Sequence, residues 1–172
     1  MAAFGSISSF GTVVLALGLV VTFYSGVAAA IGARRPTLRL QRSAEYALYG
    51  VLALLTVASA LLVYGFVSHD YSIKYVHRYS DATMPLYYLV TSYWGGLDGS
   101  LLFWSFLLAL CGALAVRLNR ERHRELLPWV ILVLQMVQAF FLLLLVFERN
   151  PFAQYIPGAQ LPTDGRGLNP LL

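Results

Sequence analysis

Charged residues are scarce in this sequence. They make up 12% of its 172 residues, whereas a soluble domain carries roughly a quarter. Hydrophobic residues reach 59%, and they come in long blocks instead of the alternating or amphipathic patterns of a soluble core. The shortage of charge therefore excludes a water-facing surface along most of the chain and predicts an integral membrane protein.

Cysteine and metal-binding patterns are also lacking. The single cysteine, Cys111, lies in an apolar block, so the sequence allows no internal disulfide and no Cys-x-x-Cys metal or redox pair. We interpret Cys111 as a small packing residue. The histidines His69, His77 and His123 do not accompany Cys, Asp or Glu at a metal-binding spacing, and we expect all three at the surface. The sequence predicts no metal site.

The placement of basic residues excludes two further classes. No Lys or Arg precedes the first apolar block, which begins near Phe10, whereas a signal peptide has a basic segment before a shorter apolar one. We therefore interpret this block as a retained span. The net charge of +4 comes mainly from arginines beside apolar blocks, which is typical of membrane orientation and not of a phosphate-binding face. We expect no nucleic-acid partner.

The chain is instead rich in apolar blocks, and four of them are about long enough to cross a hydrocarbon core of ~30 Å as helices. We predict an all-α membrane protein whose transmembrane helices cover residues 10–31, 44–67, 98–116 and 127–147. No span carries a charged residue or a histidine near its middle. This absence argues against a proton relay or an ion pathway within the chain.

The charges that exist predict an orientation. Eight arginines lie in the two short segments 34–42 and 117–124. Because cytoplasmic segments carry the excess of Lys and Arg, both ends of the chain are predicted on the other side, N-out and C-out. The external segments are then 68–97 and 148–172, and the cations outside the two arginine-rich segments are Lys74, Arg78, Arg149 and Arg166.

The first external segment becomes aromatic between Pro85 and Trp94. Tyr and Trp concentrate at the membrane–water boundary, because their rings are apolar and their tips are polar. We therefore expect an interfacial helix lying along the outer surface. Asp98 follows, near the predicted start of the third span, where the positive end of the helix dipole stabilises a carboxylate.

Small and polar residues inside the spans predict packing between helices. Gly11, Gly18, Ser25 and Gly32 recur every seven residues and so lie near one helix face, where small side chains let another helix approach. Gln135 and Gln138 share a face of the fourth span. They either line a substrate cavity or form hydrogen bonds to a neighbouring helix, and the second interpretation is favoured.

Two runs outside the spans are the candidates for chemistry. The run Trp94–Trp104 brings three glycines and two tryptophans to the mouth of a helix, where glycine permits close backbone approach and tryptophan offers a flat apolar face. The tail from Asn150 to Leu172 is rich in turn-forming residues. The candidate site residues are Trp94, Gly95, Asp98, Gly99, Ser100, Trp104, Asn150, Pro151, Asp164, Gly165, Arg166 and Asn169.

These runs resemble the CcmF family of haem lyase membrane proteins from bacterial cytochrome c maturation, and its relative NrfE. The tail matches the family pattern P-x-x-G-R-x-L-N-P-L-L, while Asp98 and Phe103 stand where the family usually has Glu and Leu. The resemblance covers residues 1–172 as a single N-terminal transmembrane segment. It rests on the runs 69–76, 85–88, 94–104, 150–152 and 162–172.

The resemblance implies haem chemistry at the outer face of the bacterial inner membrane. The family takes haem from a chaperone, holds it through axial histidines beside a tryptophan-rich segment, and joins it to the Cys-x-x-Cys-His thiols of an apocytochrome. Its haem-ligating histidines follow the position of Leu172, so none is assigned here. Haem is expected to be bound by the assembly, which would hold the activity. The chain is then either a truncated copy or the product of a split gene.

The implied partners are the remaining haem lyase polypeptide, the haem chaperone, apocytochrome c with its thiol-handling proteins, and membrane lipid. Two rival functions remain open. A transporter or channel subunit would need midplane charges or broken helices, and the spans show neither clearly. A structural scaffold would depend on the glycine stripe of the first span and not on the external aromatic residues.

Overall fold

The computed structural model of the protein describes residues 4–35, 37–155 and 164–167. Four long helices make up most of the structure. They are α1 (Phe4–Arg34), α2 (Leu38–Val67), α5 (Leu97–Asn119) and α6 (Leu127–Leu143), and a π-helical turn, Leu144–Glu148, extends α6. All four are long and apolar enough to cross a membrane. The prediction of an all-α membrane protein with four spans is confirmed.

The four helices pack as a ring. Helix α1 lies against α2 and α6, and α5 lies against the other sides of the same two helices. The buried core includes Leu15, Leu55, Leu102 and Leu142, one from each helix. Large apolar side chains also cover the outside of the bundle, for example Val20 and Phe140. An apolar exterior is what a surface in contact with lipid requires.

The stripe of small residues on α1 is a packing face, as predicted. Gly18 lies against Leu142 of α6, and Gly32 lies against Gln41 of α2. The hydroxyl of Ser25 donates a hydrogen bond of 2.9 Å to the carbonyl oxygen of Ala44. Small side chains therefore let α1 approach both neighbours closely.

Both arginine-rich segments lie at one end of the bundle, which we call the basic end. Helix α2 already begins at Leu38, so Arg39 and Arg42 are helical and the connection is shorter than predicted. Arg120, after α5, forms an ion pair of 3.1 Å with Glu45 of α2, whose side chain is 4% exposed. This pair joins the second arginine-rich segment to α2. Which side of a membrane the basic end faces stays a prediction.

The opposite end carries a cap, defined here as residues 68–96, 149–155 and 164–167. Two short helices, α3 (Lys74–Tyr79) and α4 (Leu86–Thr91), are followed by a 3₁₀ turn at Ser92–Trp94. The aromatic stretch is therefore helical, but it is shorter than a continuous interfacial helix. Ile73, Val76 and Phe152 are fully buried and extend the bundle core into the cap.

Two predictions about single side chains inside the spans have mixed outcomes. Gln138 is buried and donates a hydrogen bond to the hydroxyl of Ser105 on α5, so the helix-to-helix interpretation is confirmed for this residue. Gln135 instead lines a groove of about 210 Å³ between α1 and α6, together with Thr22 and Gly26. The interpretation of Cys111 as a packing residue is wrong for the described chain, since its side chain is exposed on α5.

Candidate functional site

The run Trp94–Trp104 forms the junction between the cap and α5. Gly96 precedes the helix, and Asp98 lies in its first turn, where the prediction placed it. The hydroxyl of Ser100 donates a hydrogen bond of 2.7 Å to the carbonyl oxygen of Trp94. This bond ties the 3₁₀ turn to the first turn of α5 and fixes the backbone that carries Trp94.

The hydroxyl of Tyr75 organises this junction. It accepts a hydrogen bond of 3.0 Å from the backbone N–H of Gly96 and lies 3.2 Å from the carbonyl oxygen of that residue. The carbonyl oxygens of Ser92 and Tyr93 are both at 3.3 Å. Burial raises the pKa of Tyr75, so the phenol stays protonated at neutral pH and keeps its donor.

Two glycines of the run are required by this packing. A side chain at Gly99 would overlap the carbonyl oxygen of Tyr93 and the hydroxyl of Tyr75, and one at Gly96 would overlap the ring of Tyr79. Gly95, by contrast, is exposed. The close backbone approach predicted for the glycines therefore occurs at Gly96 and Gly99.

An aromatic surface follows the same junction. Trp94 and Phe103 lie with their ring centroids 5.6 Å apart, and Trp104 is 6.2 Å from Phe103. Trp94 and Trp104 stay 44% and 58% exposed. Tyr93 anchors the group, because its ring lies 5.8 Å from Phe103 and its hydroxyl lies 2.7 Å from that of Ser59 on α2. The result is a partly exposed apolar face where the cap meets α5.

Asn150, Pro151 and Phe152 fasten the chain after α6 to the start of α1. The side chain of Asn150 accepts a hydrogen bond of 2.9 Å from the N–H of Phe152 and donates one of 3.1 Å to the hydroxyl of Thr12. The buried ring of Phe152 fills the space above Gly11. Asn150 therefore helps attach the cap to α1, Pro151 beside it is buried, and a functional role of either residue stays a prediction.

Residues Asp164, Gly165 and Arg166 lie against the first part of the cap. Asp164 accepts hydrogen bonds of 2.9 Å and 2.7 Å from the N–H groups of Ala82 and Gly165, and these bonds lower the pKa of its carboxyl. The N–H of Arg166 donates a bond of 2.9 Å to the carbonyl oxygen of His77. Asn169 lies outside the described residues.

His77 is a buried residue, so the prediction that it lies at the surface is wrong. Its side chain leaves α3 towards Tyr155, and its Nδ1 lies 2.6 Å from the Tyr155 hydroxyl. Burial, and then the nearby charge of Arg166, lower its pKa, while Asp164 opposes the shift. His123 is exposed, as expected, and His69 is half-buried beside Tyr71.

A cavity of about 440 Å³ opens between the cap and the adjacent ends of α5 and α6. Asp98 from α5 and Phe147 and Glu148 from α6 form one wall. The cap contributes most of the rest. The lining side chains that carry charge are Lys74, Arg78, Asp98, Glu148, Arg149 and Arg166.

The cavity brings together some predicted site residues and not others. Asp98, Asn150 and Arg166 line it, whereas Trp94 and Trp104 belong to the aromatic surface. Sequence reasoning missed Tyr75, Tyr155, Lys74 and Arg78 as parts of the site. The four cations outside the arginine-rich segments were a usable signal, because the structure places all of them in the cap.

Comparison with known proteins gives relatives along almost the whole chain. CcmF of Haemophilus influenzae is 33% identical over 166 residues, which are 96% of this chain and 25% of that protein. CcmF of Pseudomonas fluorescens is 37% identical over 75% of this chain and 19% of its own length. NrfE of Haemophilus influenzae is 34% identical over 68% of this chain and 18% of that protein. All three carry the description cytochrome c-type biogenesis protein.

A solved structure has the same fold. A protein described as cytochrome c heme lyase CcmF matches with a TM-score of 0.79 and 23% identity, over 88% of this chain and 25% of that one. No protein-family profile matches the sequence. The chain thus spans about a quarter of the length of the curated relatives that lead the comparison.

Proposed function

The chain belongs to the CcmF/NrfE family of cytochrome c-type biogenesis proteins over the quarter of their length that it spans, and we propose that it forms one side of a haem lyase assembly. In this proposal the cap helps position haem for covalent attachment to apocytochrome c. The activity belongs to the assembly, with further haem lyase polypeptide supplying what this chain does not contain.

The aromatic surface is the observation that carries the proposal. Trp94 and Trp104 stay about half exposed although Phe103 and the bond from Ser100 to the Trp94 carbonyl hold their surroundings in place. Flat, rigid and exposed aromatic rings are suited to contact a porphyrin face or an apocytochrome segment.

The orientation is part of the same proposal. The excess of arginine at the basic end favours the cytoplasmic side for that end, and the cap then lies at the outer face of a bacterial inner membrane. Haem chaperone, apocytochrome c and its thiol-handling proteins would all approach the cap. Membrane lipid would surround the apolar exterior of the four helices.

The groove between α1 and α6 is the proposed contact for further haem lyase polypeptide. Thr22 and Gln135 are almost fully buried, yet Oγ1 of the first and Oε1 of the second have no hydrogen-bond partner among the described residues. Small residues beside them, such as Gly26 and Ala30, leave room for another helix. Another helix packed in this groove would come close to α1 and α6 through these small residues.

A comparison of tryptophan variants tests the proposed function. Trp94→Ala and Trp104→Ala, together, should lower covalent haem attachment to c-type cytochromes in the native host by about tenfold or more, since aromatic anchors dominate contact surfaces. Trp129→Ala is the matched control, because Trp129 is 49% exposed and lies at the basic end. Attachment is measured by haem staining of denatured cytochromes, with the chain quantified in the membrane. Unchanged attachment in the double variant would refute the proposal.

A further inference from the structure

All four cations outside the arginine-rich segments line one cavity. Lys74 and Arg78 come from α3, Arg149 follows the end of α6, and Arg166 comes from the docked segment 164–167. These residues are separated by up to 92 positions in the sequence, so only the fold brings them together. Four cations gathered at one site make the local electrostatic potential positive, which favours an anionic ligand.

The carboxylates that line the cavity offset only part of this positive charge. Asp98 and Glu148 also line it, and the lining is left with a charge of +2. Within the described ranges, the ion pair found is the one between Arg120 and Glu45 at the opposite end. The cationic groups of the cavity are thus available to a ligand.

The cavity is held in shape by bonds between its walls. The N–H of Lys74 donates a hydrogen bond of 2.9 Å to the carbonyl oxygen of Ala153, and Arg166 is bonded through its N–H to the carbonyl of His77. The ring of His77 meets Tyr155 at 2.6 Å, and the ammonium of Lys74 lies 5.7 Å from the centroid of that Tyr155 ring. These bonds fix the backbone that carries Lys74 and Arg166, so less of the cavity wall has to become ordered when a ligand binds.

The surroundings indicate an amphiphilic ligand. Guanidinium groups bind carboxylate and phosphate oxygens through paired hydrogen bonds. Phe147 lines the same cavity, is 70% exposed and lies in the last turn of a membrane-spanning helix. A ligand whose charged end enters the cavity would therefore place its apolar body beside Phe147, at the level of the membrane boundary.

We propose that this cavity binds the oxyanion end of an amphiphile. Its volume of about 440 Å³ lies within the usual range of small-molecule sites and suits the charged end of such a ligand. Two sources share this chemistry, the carboxylates of a porphyrin and the phosphate of a phospholipid. The porphyrin is the expected source, and that choice rests on the proposed function.

The test uses the full chain in detergent, titrated with haemin and, separately, with haemin dimethyl ester, which lacks the carboxylate charges. The double variant Arg78→Gln/Arg149→Gln should weaken haemin binding about tenfold or more, because two charge-assisted contacts are lost. The matched control Arg122→Gln/Arg124→Gln removes the same charge at the basic end and should bind like the original protein. The ester should bind weakly and equally to all three.

The phospholipid is tested on the same proteins by native mass spectrometry of retained phosphatidylglycerol. If the cavity variant loses the lipid and haemin binding is unchanged, the oxyanion site stands with lipid as its source, and the porphyrin assignment fails. If neither probe distinguishes the cavity variant from the control, the proposal is overturned. Because Arg78 and Arg149 are exposed, we expect both substitutions to preserve the fold, and a thermal melt of each variant checks this.

Discussion

The two ends of the bundle use positive charge differently. At the basic end, eight arginines are spread along exposed helix termini and a loop, and Arg120 forms an ion pair with Glu45. At the cap, four cations from separate segments line one cavity with Asp98 and Glu148. A spread of charge is sufficient for orientation in a membrane, whereas convergence is what binding an anion requires. The cations of the two ends therefore differ in arrangement as well as in number, and only the fold shows the difference in arrangement.

The largest expected effect concerns the backbone that supports the cap. Gly99→Ala should destabilise the folded chain by about 3 kcal/mol, because the new methyl group would overlap the Tyr93 carbonyl oxygen and the Tyr75 hydroxyl. Gly50→Ala is the control, since its nearest neighbour outside α2 would be Val21 Cγ1 at an ordinary 3.8 Å. Thermal unfolding in detergent, followed by circular dichroism, measures both. Equal melting temperatures would contradict the packing described for the cap.

The next effect concerns the polar centre of the cap. Tyr75→Phe removes the hydroxyl that accepts a hydrogen bond from the partly buried Gly96 N–H. The loss should destabilise the folded chain by about 1–2 kcal/mol, because that donor is left without its partner. Tyr46→Phe, at an exposed position on α2, should cost nothing measurable. Chemical denaturation of the two variants provides the comparison. If Tyr46→Phe lowered the free energy of unfolding as much as Tyr75→Phe, the hydrogen bonds of the Tyr75 hydroxyl would not explain the destabilisation.

A smaller effect is expected at the basic end. Glu45→Gln breaks the pair with Arg120, but Arg120 is about one-third exposed and can be solvated, so we expect a loss of about 1 kcal/mol. Glu121→Gln, on the exposed loop, is the control. A double-mutant cycle with Arg120→Gln isolates the interaction. A coupling of zero would mean that this pair does not hold the second arginine-rich segment against α2.

The smallest effect is a pH dependence confined to the cap. The pKa of His77 is lowered in the folded protein by burial and by Arg166, so the unfolded chain binds the proton more readily. Stability is then complete above the unfolded pKa of about 6.5 and falls as the pH decreases below it. In His77→Gln, the melting temperature should therefore fall less between pH 7 and pH 5 than in the original protein. A decrease of the same size in that variant would exclude His77 as its source.

Local features of the sequence account for the spans and the stripe on α1. Hydrophobic runs set the four helices, and the spacing of Gly11, Gly18 and Ser25 set the packing face, because both depend only on neighbours along a helix. The cavity depends on contacts between distant residues, such as Lys74 with Ala153, and no periodicity reveals these. His77 was expected at the surface because a histidine without a local partner usually lies there, and its partner Tyr155 is 78 residues away.

The most direct test of the central claim is purification of the chain from its native membranes, followed by intact mass and a visible absorption spectrum. The proposed function predicts that a second membrane polypeptide and a haem Soret band accompany the chain. It also predicts that the Trp94→Ala/Trp104→Ala variant retains the polypeptide and loses haem-dependent cytochrome maturation. A chain that is recovered alone and without colour, from cells that mature their c-type cytochromes normally, would contradict the account.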